Sequence, residues 1–228
     1  MVLFISFVLM EDRASTERWQ IRRIRLAVIP ALVMVVLVWM AFLVDHTRIA
    51  SFNFSLLGIY PRQLRGVPGI FLSPFVHGSF SHLISNTVPL LVLISLLFYF
   101  YSQIAPMTFA SLWSLSGLFT WLTGREAFHI GASGLIFALL FFLFFSGLFR
   151  KHVPLIAVSM VVTFIYGSSL WSIFPIAEYI DISLSWEAHL SGAAVGLIVA
   201  FSLRKRGPQK PPSFSDEEEE EEDDSGLP

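Results

Sequence analysis

The sequence predicts an all-α polytopic membrane protein: a bundle of six spanning helices with both termini in the cytoplasm. Three observations predict it. Hydrophobic residues fill 55% of the 228 positions, 23 of them Phe, and mean hydropathy is +0.70. Apolar stretches close to the roughly 20 residues that a bilayer crossing needs recur along the chain. Basic residues also segregate. With the N-terminus inside, eleven fall on inner segments (Arg13, Arg18, Arg22, Arg23, Arg25, Arg150, Lys151, Arg204, Lys205, Arg206 and Lys210) and four on outer ones (Arg48, Arg62, Arg65 and Arg125). That asymmetry is the positive-inside pattern. The formal net charge of -2 hides it, because nine of the 17 acids sit in one run, Asp216 to Asp224.

Met1 to Met10 is apolar but too short to span, and it lacks the basic lead-in of a signal peptide. Glu11 to Arg25 is charged, with five arginines. Residues 1–24 therefore form a cytoplasmic segment, and 25–203 form the helical domain. Its first span is Leu26 to Val44, with Pro30 near its first turn. Asp45 to Val76 is broken by Gly, Pro and Arg and belongs in or on the outer interface. Five further spans follow: Ser81 to Tyr101, Ile104 to Leu122, Ser133 to Phe149, Val153 to Trp171 and Ala188 to Leu203. From Arg204 onward the Pro-Pro pair and the acidic run predict a disordered cytoplasmic tail, residues 204–228.

Spans two, four and six all begin on the outer side. Counting about 1.5 Å per residue puts Ser133 about 25 Å above Arg150, His189 about 22 Å above Arg204, and Asn86 about 25 Å above Gln103. A serine, a histidine and an asparagine thus share one level several Å below the surface of a roughly 30 Å core. His82 lies one turn before Asn86 on the same face, whereas His77 belongs to the preceding loop. Polar side chains at membrane depth are costly and point to a functional site; the structural alternative is an interhelical hydrogen bond.

The helix faces fit that site. Gly192, Ala193 and Gly196 share the side of His189, and Gly134 and Ala138 supply a small pair after Ser133, so the two helices can approach closely. Gly131 and Gly134 flank Ser133 in a Gly-x-Ser-Gly setting. Close approach brings Ser133 within reach of His189, the requirement for an activated serine nucleophile. No Asp or Glu lies in the six spans, so the expected site is a Ser-His dyad. Glu187 should point to solvent, and Phe137 can stack on the imidazole. His129 precedes Ser133 by one turn but is expected in the loop, in water or bonded to backbone. Ser79, Ser81, Ser85 and Ser185 can line a path for water.

His77-Gly-Ser-Phe-Ser-His82-Leu-Ile-Ser-Asn86, Gly131-Ala-Ser133-Gly134 and Ala188-His189-Leu-Ser-Gly192 resemble the motifs of the rhomboid intramembrane serine proteases. The resemblance covers residues 25 to 203, in the expected order. It implies Ser133 as nucleophile, His189 as base, and His82, Asn86 and the Ser133 N–H as oxyanion hole. It also implies that His77 supports the site and that the fifth span with Ser172 to Trp186 forms a gate and lid. Two departures stand out. The Trp-Arg pair of the first outer loop is missing, with Tyr60-Pro61-Arg62 as a stand-in, and the aromatic beside the base is Phe137 rather than tyrosine.

The implied activity is hydrolysis of peptide bonds in or near the spans of other membrane proteins, within a lipid bilayer and with no cofactor, metal or nucleic acid. A non-catalytic scaffold of the same superfamily is the alternative, although that class lacks the catalytic pair. The absence of intramembrane acids and of an inverted repeat speaks against a transporter. Scattered histidines without a His-Glu-x-x-His motif speak against a zinc protease. Zero cysteines exclude thiol chemistry.

Overall fold

A computed structural model describes residues 2–47, 52–151, 153–165, 171–175 and 185–207. Among them the chain is helical, with only an isolated bridge between Ile59 and His129. The helices are α1 (Val2–His46), α2 (Gly69–Leu72), α3 (Phe80–Phe100), α4 (Ala105–Thr123), α5 (Ser133–Phe149), α6 (Val153–Ile165) and α7 (Trp186–Ser202). Trp19–His46 and Phe80–Phe100 are long and apolar enough to cross a membrane, and Ser133–Phe149 and Trp186–Ser202 are shorter apolar helices.

The ends of the helices show where hydropathy and helicity part. α1 runs through the charged stretch before its apolar portion, because Arg, Glu and Gln are good helix formers even where they cannot enter lipid. α7 begins at Trp186, since Ser185 accepts the Ala188 N–H as N-cap. Of the expected fifth span, Val153–Ile165 is helix and its last residue, Trp171, opens a 3-10 turn, Trp171–Ile173, while 166–170 lie outside the described residues. So do 176–184 of the expected lid and 208–228 of the expected tail.

Packing follows the small and apolar seams. Ala27, Ala31, Met34, Val38 and Phe42 recur every three or four residues along α1 and are buried, while Val33, Leu37 and Met40 between them are exposed. The buried seam lies along α3, pinned by Trp39 Nε1 donating to Thr87 Oγ1 at 3.1 Å. The most extensive contact joins α5 and α7, and α4 packs on both. Leu83, Leu90, Leu97, Leu112, Leu139, Phe142 and Val195 close the common core.

The connection from α1 to α3 folds over the start of α5. Ile59 and His129 exchange two backbone hydrogen bonds of 2.9 Å. Arg62 Nη1 donates to the Gly124 carbonyl at 2.7 Å, and Trp121 Nε1 donates to the Gln63 carbonyl at 3.0 Å. Tyr60 packs edge-on against Phe128, with the Arg65 guanidinium 4.0 Å from the Tyr60 ring centre. The Tyr60-Pro61-Arg62 stretch thereby staples the outer connection to the loop that leads into Ser133.

Candidate active site

Close approach of two helices creates the site. A Cβ on Gly192 would lie 2.1 Å from the Gly134 carbonyl oxygen, and one on Gly196 would lie 2.4 Å from that of Ala138. Only glycine permits this spacing. At the head of the pair, Ser133 Oγ lies 2.7 Å from His189 Nε2. The other ring nitrogen, Nδ1, lies 3.1 Å from the Ser172 carbonyl oxygen and 2.8 Å from Ser172 Oγ. A carbonyl can only accept, so Nδ1 carries the proton and Nε2 presents its lone pair to the Ser133 hydroxyl. Phe137 stacks on the imidazole at 4.7 Å with a 24° interplanar angle. The ring is therefore held on its edge by Ser172 and on its face by Phe137.

Ser133 stands in the first turn of α5, where backbone N–H groups lack intrahelical partners. The turn before it depends on Gly131, whose φ of +101° favours glycine. A Cβ there would also lie 2.6 Å from His82 Cε1 and 3.7 Å from Asn86 Nδ2. His82 and Asn86 thus press against the approach to Ser133. Asn86, 5% exposed, shares a hydrogen bond of 3.0 Å with His77 Nε2. The His77 ring meets that of His82 edge-on at 4.9 Å. Burial, reinforced by His82 and opposed by the nearby Phe75 backbone, lowers the His77 pKa to about 4. Neutral His77 with an unprotonated Nε2 accepts from the Asn86 amide, whose second N–H remains for another acceptor.

The pair opens on a cavity of about 480 Å3 that includes Ser133, His189, His82 and all four serines expected on a water path, Ser79, Ser81, Ser85 and Ser185. His129 lines it too, but its ring is engaged elsewhere. It is 3% exposed, with Nε2 3.0 Å from the Arg125 carbonyl and Nδ1 bonded to Ser185 Oγ. Burial lowers its pKa more than the Arg125 carbonyl and Glu187 raise it.

Glu187 corrects an expectation. Instead of facing solvent it is buried, with Oε2 2.7 Å from Arg125 Nη1 and Oε1 3.3 Å from the Arg125 N–H. The first turn of α7 faces the loop before α5, and that turn favours an acid because its N–H groups carry partial positive charge. Ser172, Arg125 and Ser185 are the site's supporting residues that motif spacing does not single out. They lie in connecting segments without periodicity, and their partners are 17 to 62 residues away. Ser185 alone carried a signal, as a serine at the mouth of a helix.

The Rhomboid domain family model matches residues 65–206. The chain belongs to the rhomboid family. With its apolar helices it is an integral membrane protein. Rhomboid proteins are mostly intramembrane serine proteases, with inactive members among them, and they act on membrane-protein substrates in the bilayer. Uncharacterized proteins of Mycobacterium tuberculosis and Mycobacterium bovis are similar to this rhomboid chain, each 36% identical over 178 residues, or 75% of this chain and 73% of theirs. One from Mycobacterium leprae is 37% identical over 142 residues, 59% of this chain and 55% of its own.

Proposed function

We propose that this rhomboid chain is a multi-pass intramembrane serine endopeptidase that cleaves spanning or juxtamembrane segments with a Ser133-His189 dyad. Residues 25–203 form six spans and carry the catalysis, between a cytoplasmic segment 1–24 and a cytoplasmic tail 204–228. The distribution of basic residues supports cytoplasmic termini and a site that opens to the extracytoplasmic side. The observation that carries the activity is the 2.7 Å contact from Ser133 Oγ to His189 Nε2, with Nδ1 committed to the Ser172 carbonyl.

Ser133 Oγ attacks the scissile carbonyl carbon while its proton passes to His189 Nε2. The imidazolium is stabilised through Nδ1–H to Ser172, a backbone carbonyl doing what a carboxylate does in a triad. Negative charge on the carbonyl oxygen meets the Ser133 N–H, His82 and the free N–H of Asn86. Collapse breaks the C–N bond, and the leaving amine takes the proton from Nε2. A water from the serine-lined cavity then attacks the acyl-enzyme, giving its proton to Nε2, and Ser133 Oγ leaves with that proton. The substrate helix must unwind first, because its carbonyls are bonded to its own N–H groups.

The test is hydrolysis of a reporter membrane span by the reconstituted full chain. Wild type should cleave it, and Ser133→Ala should not. Equal cleavage by both, or none by either, would reject the proposal; the latter outcome fits the non-catalytic scaffold.

A further inference from the structure

At the end of the bundle far from Ser133, the start of the apolar part of α1 and the close of α3 line an open groove of about 650 Å3. Its lining includes Trp19, Arg22, Arg23, Leu26, Phe98 and Ser102. Small-ligand sites typically span roughly 300–1,000 Å3, so the space is sufficient for a headgroup.

The two arginines differ in how they are held. Arg23 is fixed: Nη2 donates to the Tyr99 carbonyl at 2.7 Å, and its guanidinium carbon lies 4.4 Å from the Tyr99 ring centre and 5.3 Å from that of Trp19. Arg22 is exposed and has no hydrogen bond or ion pair among the described residues. The sole ion pair among those residues, Arg125–Glu187, is at the opposite end. Two guanidiniums therefore share this groove with no carboxylate of the described residues within ion-pair distance. Their forked N–H donors match phosphate geometry. Leu26 and Phe98 make the adjoining wall apolar. Trp19 begins the apolar span, the depth at which indole and guanidinium side chains meet lipid headgroups.

We propose that this groove binds an anionic phospholipid, its phosphodiester held by Arg22 and Arg23 and its first acyl methylenes against Leu26 and Phe98. The apolar wall selects a lipid over a soluble anion. The two cations, unpaired with any acid among the described residues, favour an anionic headgroup over a choline, whose ammonium they repel. Bound lipid would tie α1 to α3, as Arg23 already does through Tyr99.

The experiment titrates the detergent-solubilised full chain with phosphatidylglycerol, phosphatidylcholine and, separately, inorganic phosphate, reading bound lipid by native mass spectrometry and the shift in Tm. Phosphatidylglycerol should bind and raise Tm more than the other two. Arg22→Ala and Arg23→Ala should each weaken its binding roughly fivefold, the contribution of one basic residue near anionic lipid. Lys205→Ala, which removes an exposed charge outside the groove, should leave it unchanged. Arg23→Ala also removes a helix contact, so Arg22→Ala decides the matter if the former does not fold. Unaltered phosphatidylglycerol binding in Arg22→Ala would overturn the proposal. So would an equal loss in Lys205→Ala, equal binding of phosphatidylcholine, or a Tm shift with phosphate matching that with lipid.

Discussion

The α5–α7 pair carries polar groups at both ends, and the two ends use them differently. At one end Ser133 and His189 share a hydrogen bond that faces a cavity of about 480 Å3. At the other, Arg150 is 5% exposed; it donates to Ser146, to Tyr101 Oη and to the Leu203 and Arg206 carbonyls, and its guanidinium carbon lies 5.2 Å from the Tyr101 ring centre. Tyr101 in turn donates to Ser146 Oγ at 2.7 Å. This second cluster closes on itself, as a cap for the last carbonyls of two helices. Polarity inside an apolar bundle is thus not a sign of chemistry by itself. A pair able to move a proton and a cavity beside it distinguish the Ser133 end.

The largest difference between the ends should appear when His189 is removed. His189→Ala should lower turnover by on the order of 10⁴–10⁶, as when a member of a catalytic serine-histidine set is lost. His129→Ala loses hydrogen bonds to Arg125 and Ser185 and should cost stability, yet each folded molecule should keep most of its activity. Assays of kcat with Tm on both variants check this; exchanged phenotypes would redraw the dyad around His129.

Asn86 tests the oxyanion assignment. An oxyanion donor acts on charge present only in the transition state, so Asn86→Ala should lower kcat about 10²–10³-fold with KM little changed. A lowered Tm with unaltered kcat would instead make Asn86 a structural partner of His77.

Arg150→Met should do the reverse of His189→Ala. Carbonyls of Leu203 and Arg206 lose a charged donor, an interaction worth on the order of 1.5–3 kcal/mol each, so Tm should fall clearly while kcat per folded molecule stays. Loss of activity without loss of Tm would show that the two ends are coupled.

The smallest effect is the pH dependence of stability. His77 is held to about 4 in the folded chain, below its ordinary 6.5. Folding then favours the neutral ring, so its contribution is complete above about 6.5 and is lost as pH falls toward about 4. His129, shifted in the same direction, adds to the loss. A Tm series from pH 8 to pH 4 should show it, and His77→Gln should flatten the curve; an identical slope in that variant would assign the loss to other groups.

What could be read without the structure was the part governed by periodicity. The range Ser133 to Phe149 follows directly from its apolar run, and the stripe Gly192–Gly196 opposite Gly134 and Ala138 foretold how closely α5 and α7 meet. The supporting residues were hidden. Nothing local marks the Ser172 carbonyl as a partner of His189, because any residue supplies a carbonyl. Glu187 read as a solvated acid since hydropathy weighs each residue alone, and its partner Arg125 stands 62 positions away. Helicity through Glu11 to Arg25 was missed because hydropathy locates the bilayer crossing and not the helix.

Activation of Ser133 is read out by labelling the detergent-solubilised full chain with a fluorophosphonate serine probe. The probe needs an activated hydroxyl and no knowledge of the substrate. Mass spectrometry should find it on Ser133, with labelling abolished in Ser133→Ala and His189→Ala. Labelling that persists undiminished in Ser133→Ala, or a wild-type chain that does not react, would contradict an activated Ser133.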